Sequence, residues 1–102
     1  MATHIFDIDG TLVKYHTNDW IEGALETLEK LSKDGHKIVL ITMRGPQDDN
    51  NDWSIRNTIS TVIRELNVKN IKHTILWGHP SPRIVHDDAE IQLDKRVTNQ
   101  KW

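Results

Sequence analysis

Asp7 and Asp9 stand one residue apart at the end of an otherwise apolar stretch, "THIFDIDGTLV" (3–13), and directly before a glycine. Ile5, Phe6 and Ile8 suit a strand buried inside a sheet. Residues i and i+2 of a strand point to the same side, so both carboxylates converge on one small volume. Two anions held that close repel, and one takes up a proton unless a cation lies between them. A second acidic pair, Asp87 and Asp88, ends another apolar stretch, "RIVHDD" (83–88). If the two stretches are neighbouring strands, four acidic residues crowd one crevice and a hard cation is the natural neutraliser. Carboxylates and water are what Mg²⁺ prefers, at roughly 2.0–2.1 Å in octahedral geometry.

The elements that must position these groups alternate between strand and helix. After the first strand comes a polar connection, "KYHTND", with Asn18 or Asp19 as the expected helix N-cap. Ile21, Ala24, Leu25, Leu28 and Leu31 then recur at helical spacing, and Gly35 closes the helix. "KIVLIT" (37–42) is a continuous apolar run and hence a buried strand. The polar loop "RGPQDDNND" follows, with Asp52 as a cap for a second helix lined by Ile55, Ile59, Val62, Ile63 and Leu66. "HTILWG" (73–78) and "RIVHDD" (83–88) read as two further strands separated by the turn "HPSP", and "AEIQLDKR" as a short final helix. Alternation of this kind predicts a parallel sheet covered on both faces. Ligands of such open sheets bind beyond the carboxyl ends of the strands, where the strand order reverses.

Composition narrows the class. A chain of 102 residues with a formal net charge of −2 and no cysteine is expected to be one domain, 1–102, with one core. Cys-ligated zinc, disulfides and thiol catalysis are excluded, and the charge balance disfavours nucleic acid and anionic membrane as partners. No run approaches membrane-spanning length, and no basic region followed by an apolar stretch marks a signal peptide. The expected location is cytoplasmic.

The chain resembles the haloacid dehalogenase superfamily of phosphohydrolases over nearly its whole length. The first motif of that family, Asp-x-Asp-x-Thr, is similar to "DIDGT" (7–11); the second, a Thr or Ser ending a strand, to Thr42 in "ITMRG"; the acidic fourth, to "HDD" (86–88). The closer likeness is to small members without a cap domain, among them sequences of capsular-polysaccharide and sugar-phosphate metabolism, with "TARG"-like and "GKP…IDD" motifs. The resemblance implies a three-layer αβα sandwich, Rossmann-like, with a parallel sheet in the order 4-1-2-3 and no cap.

It implies chemistry as well. Asp7 would be the nucleophile that forms an aspartyl-phosphate. Mg²⁺ would be held by Asp7, the backbone carbonyl of Asp9 and Asp87. Asp9 would protonate the leaving alkoxide and then deprotonate water. Asp88 would orient the cluster from behind Asp87, the two being able to exchange roles. Thr42 would donate its hydroxyl and backbone N–H to phosphoryl oxygens, and the Gly10 and Thr11 backbone would approach the phosphate. The family's third motif, a Lys or Arg beside the nucleophile, is absent: His79 occupies that place, with Arg83 and Lys72 as other cations within sequence reach.

Weighed singly, several of these signals have bland explanations. An acidic pair such as Asp87–Asp88 is also what a helix N-terminus favours, and Thr42 alone is an ordinary strand-end residue. Arg44 and Arg83 are candidate substrate contacts, and Arg44 is equally a loop charge. His86 is expected to face away from Asp87, and Trp53 and Trp77 to pack at the core and rim. His4, His16, His36 and His73 have no metal-like spacing. The expected function is Mg²⁺-dependent hydrolysis of a sugar phosphate or other small phosphorylated metabolite. The resemblance implies an open site that members of the family cover by forming a homo-oligomer or leave open to bulky substrates such as nucleic-acid ends, the second disfavoured by the acidic balance. The alternatives are an inactive metal- or phosphate-binding interaction domain of the same fold, and a receiver-type signalling domain, which the order of the acidic residues fits poorly.

Overall fold

The computed structural model describes residues 1–45, 60–96 and 100–102. Its elements run β1 (Thr3–Asp7), α1 (Ala24–Lys33), β2 (Lys37–Ile41), α2 (Ser60–Val68) and β3 (Thr74–Leu76). The three strands form a parallel sheet in the order β1-β2-β3. Three of the four expected strands and both longer helices are therefore present. The expected cap residue Asp52, the helix positions Ile55 and Ile59, and Trp53 lie outside the described residues.

Paired residues of a parallel sheet share a face, and the register sorts this sheet into two unlike ones. Phe6 pairs with Leu40 and Leu40 with Ile75, while Ile38 lies opposite His4. Phe6, Ile38 and Leu40 join Ala24 and Leu28 of α1 and Val62 and Leu66 of α2 in a single core. Both helices thus cover the same face, as right-handed crossovers between strands in sequential order require. The opposite face carries Ile5, Val39, Ile41 and Leu76, and Ile5 is 58% exposed there. Among the described residues the protein has two layers rather than the expected three.

Helix α1 begins later than expected. Asn18 and Asp19 do not cap it; Gly23 does, in a left-handed conformation and without a side-chain bond. The reason is backbone pairing upstream. Ile21 N–H donates to the Leu12 carbonyl and Lys14 N–H to that of Asp19, and Val13 bridges Trp20, so residues 13–20 close into a small hairpin. At its other end α1 stops where the sequence places the glycine. Gly35 has φ +86°, its N–H donates to Ser32, and His36 N–H donates to Leu31, the two bonds of a Schellman stop.

The fourth strand and the final helix are not formed. Residues 83–88 take no strand pairing and residues 89–96 no helix. Ile84 is 76% exposed and Leu93 is likewise out in solvent. Geometry explains it. A strand joining β1 in parallel must start beside Thr3, yet only the six residues Trp77–Pro82 separate β3 from Arg83. Parallel strands need a crossover of about a dozen residues or more. Arg83 instead lies beside Asp7 at the carboxyl end of β1, and the sheet among the described residues has the order β1-β2-β3 rather than 4-1-2-3. Among the described residues no helix is long and apolar enough to cross a membrane.

Candidate active site

Asp7 is the last residue of β1, and the turn after it closes tightly on itself. The Ile8 carbonyl accepts from the N–H groups of Thr11, Leu12 and Val13, while Gly10 N–H donates to Val13. These bonds consume the Gly10 and Thr11 amides, which therefore do not face outward as phosphate donors. Gly10 is at φ +85°, and the Tyr15 ring lies over it, so close that an added Cβ would stand 2.5 Å from Tyr15 Cζ. Trp102 also braces the turn. Its indole N–H donates to the Thr11 carbonyl at 3.1 Å, its ring lies 5.6 Å from that of Phe6, and the Arg96 guanidinium covers it at 4.0 Å.

Thr42 follows β2 and is buried. Its Oγ1 accepts from Arg44 N–H at 2.9 Å, and its own N–H donates to Leu76. Only the hydroxyl proton remains for a ligand, since the backbone N–H expected to bind phosphate belongs to the sheet ladder. The 42–44 and 77–79 segments continue that ladder through His79 N–H to Thr42 and Gly78 N–H to Arg44. This pairing brings Arg44 and the 79–83 turn beside the end of β1.

The two carboxylates are neutralised there by two arginines. Arg83 Nη1 donates to Asp7 Oδ1 at 2.7 Å, and its Nε and Nη2 donate to the His79 carbonyl at 3.1 and 2.8 Å. Arg44 grips Asp9 with both sides of its fork, Nε to Oδ2 at 2.8 Å and Nη2 to Oδ1. The Arg44 side chain is only 4% exposed, against 26% for Asp9. Bidentate pairing of this kind is both stronger and more directional than a point-charge contact. The repulsion foreseen between Asp7 and Asp9 is thus relieved by separate guanidinium partners.

The remaining expected residues are placed differently. His79 contributes its backbone; its exposed ring makes no hydrogen bond or ion pair among the described residues. Lys72 precedes β3, at the amino end of the sheet, so it cannot serve Asp7. Asp87 and Asp88 lie in the exposed tail of residues 84–95, where Asp87 Oδ1 accepts from Ala89 N–H at 2.8 Å. No group of three or more His, Cys, Asp or Glu side chains among the described residues is arranged to hold a metal ion. Asp7 is paired with Arg83, both carboxylate oxygens of Asp9 are on Arg44, and Asp87 accepts within a local turn. The strand expected to carry Asp87 beside β1 is not formed.

Tyr15, Thr17, Asn18 and Trp102 were not expected at the site. Asn18 had a sequence signal, but its amide-bearing side chain suits a helix cap as well as an arginine partner. Tyr15 and Trp102 carry no spacing that marks them.

Residues 4–51 match the profile of the haloacid dehalogenase-like hydrolases. The match contains Asp7, Asp9, Gly10, Thr11, Thr42 and Arg44 and ends before His79, Arg83, Asp87 and Asp88. Among curated proteins and solved structures, none matches the chain.

Proposed function

Membership of the haloacid dehalogenase superfamily, which the match over residues 4–51 supports, is the premise from which we propose that the protein hydrolyses phosphomonoesters through Asp7. The observation that carries the proposal is the Asp7–Arg83 pair at 2.7 Å, half-buried at the carboxyl end of β1. A carboxylate alone repels a phosphate dianion. With a guanidinium at its side, the same carboxylate gains a cation able to hold phosphoryl oxygens bidentately while Asp7 attacks. The chemistry divides into two steps. An Asp7 oxygen bonds to phosphorus as the bond to the leaving oxygen breaks, and the leaving oxygen takes a proton. Water then attacks phosphorus, Asp7 leaves as a carboxylate, and inorganic phosphate departs. Asp9, adjacent in the turn, would exchange the proton in each step, for which one of its oxygens has to leave Arg44. In this reading Arg83, rather than His79 or Lys72, serves as the cation that the resemblance expects beside the nucleophile, and an open mouth suits a sugar phosphate or another small phosphorylated metabolite.

Relatives of this superfamily use Mg²⁺, whose role would be to screen carboxylate from phosphate. Asp7, the backbone carbonyl of Asp9 and Asp87 would hold it, while the positive charge beside Asp7 among the described residues is Arg83. This same observation favours a second reading, a phosphate-binding domain of the same fold without turnover. Phosphate release from p-nitrophenyl phosphate and a panel of sugar phosphates, with Mg²⁺ and with chelator, separates the two. Turnover that disappears in Asp7→Asn supports the hydrolase. Phosphate binding without turnover, across pH and with Mg²⁺ present, supports the binding domain, and turnover that survives Asp7→Asn rejects Asp7 as the nucleophile.

A further inference from the structure

Arg44 is a side chain of unusual reach in this fold. Its guanidinium holds the turn after β1 through both oxygens of Asp9. The same group holds the 14–19 loop, through Asn18 Oδ1 and the Thr17 carbonyl, each at 2.6 Å. Its backbone is fixed too, by Thr42 Oγ1 on one side and Gly78 N–H on the other. One buried cation therefore joins four segments: the turn after β1, the 14–19 loop, the end of β2, and the strand-end loop after β3. The loop it holds is the one that lays Tyr15 over Gly10. A guanidinium that is 4% exposed and bonded to three protein partners is not presented to a substrate.

We infer that Arg44 is a positioning residue, which fixes the Asp9 carboxylate and the Tyr15-bearing loop as one unit. The arginine fork is required for this. A lysine ammonium is a compact charge on one nitrogen and cannot meet Asp9, Thr17 and Asn18 in the directions the guanidinium does. Loss of the fork frees the loop locally, without touching the core that α1 forms with the sheet.

Amide hydrogen exchange on the full chain tests this directly, with Arg44→Lys, Arg44→Met and, as a milder change that spares the charge, Asn18→Ala. The amides of Lys14, Thr17 and Asp19 are hydrogen-bonded within the loop, to the Asp19 carbonyl, the Lys14 carbonyl and Thr17 Oγ1. Their exchange is expected to rise about tenfold or more in Arg44→Lys and about threefold in Asn18→Ala, while α1 amides keep wild-type rates. Wild-type loop rates in Arg44→Lys, or loop and α1 amides accelerating together in Asn18→Ala, would overturn the inference. A second readout rests on the hydrolase reading above. There Arg44→Lys lowers kcat about a hundredfold with KM unchanged, because the proton-transfer group is displaced while the phosphate site at Arg83 is kept. A raised KM with kcat retained would instead make Arg44 a substrate contact. Absence of turnover in the wild type would reject the hydrolase alone, since the exchange result decides the role of Arg44 by itself.

Discussion

Alanine at Gly10 sets two costs against each other in the turn that carries Asp9. The first is the backbone: φ is +85°, where an L side chain is disfavoured by about 1–2 kcal/mol. The second is steric, since the new Cβ meets Tyr15 Cζ, Cε2 and the hydroxyl at 2.5, 2.6 and 2.8 Å. Those atoms are the far end of a side chain that is 60% exposed. The ring can swing away into solvent at about 0.5–1.5 kcal/mol, the scale of an off-rotamer χ angle. The backbone cost is the larger, and the two together predict that Gly10→Ala loses about 1.5–3.5 kcal/mol. In a domain of this size each kcal/mol lowers Tm by about 4–8 °C. Urea and thermal unfolding of the wild type, Gly10→Ala, Tyr15→Ala and the double variant give the assay. Tyr15→Ala should be nearly neutral, and the double variant should keep most of the Gly10→Ala loss. Recovery of most of that loss in the double variant would refute the reasoning, because the clash and not the dihedral would then be the controlling term.

Leu40 is fully buried on the central strand, between Phe6 and Ile75, whereas Ile5 stands on the opposite face of the neighbouring strand. Leu40→Ala should cost about 2–5 kcal/mol in chemical denaturation and Ile5→Ala well under half of that; equal costs would mean that the second face of the sheet is covered. Asp87→Asn and His79→Ala should leave phosphate release within about twofold of wild type, since the side chain paired with Asp7 is that of Arg83, and a hundredfold loss in either would restore the role the sequence suggested for it. Arg83→Met should weaken inhibition by inorganic phosphate by about tenfold or more, measured as a rise in Ki, because it removes the cation beside Asp7. An unchanged Ki would separate Arg83 from the phosphate site.

Much of the frame was legible before folding. Hydrophobic spacing located α1 and the β2 and β3 runs, Gly35 marked the helix stop, and the apolar-then-acidic pattern set Asp7 at the end of β1. These are local signals, in which a residue's neighbours in sequence are its neighbours in space. The fourth strand failed on a criterion that was also legible: "RIVHDD" has strand-like residues, but the six residues before it are too few for a parallel crossover. Residue type alone was overruled by chain length.

Sequence by itself determined the elements from β1 to β3, their order, and the presence of two carboxylates in need of positive charge. Tertiary structure decided where that charge comes from. Arg44 is 35 residues from Asp9 and Arg83 is 76 residues from Asp7, and each pair meets only because the parallel ladder aligns the ends of β1, β2 and β3. Arginine and lysine side chains are long, and no spacing in sequence says toward which carboxylate one will turn. That choice depends on which loops the folded sheet brings together, and on which guanidinium can leave water with all its donors matched.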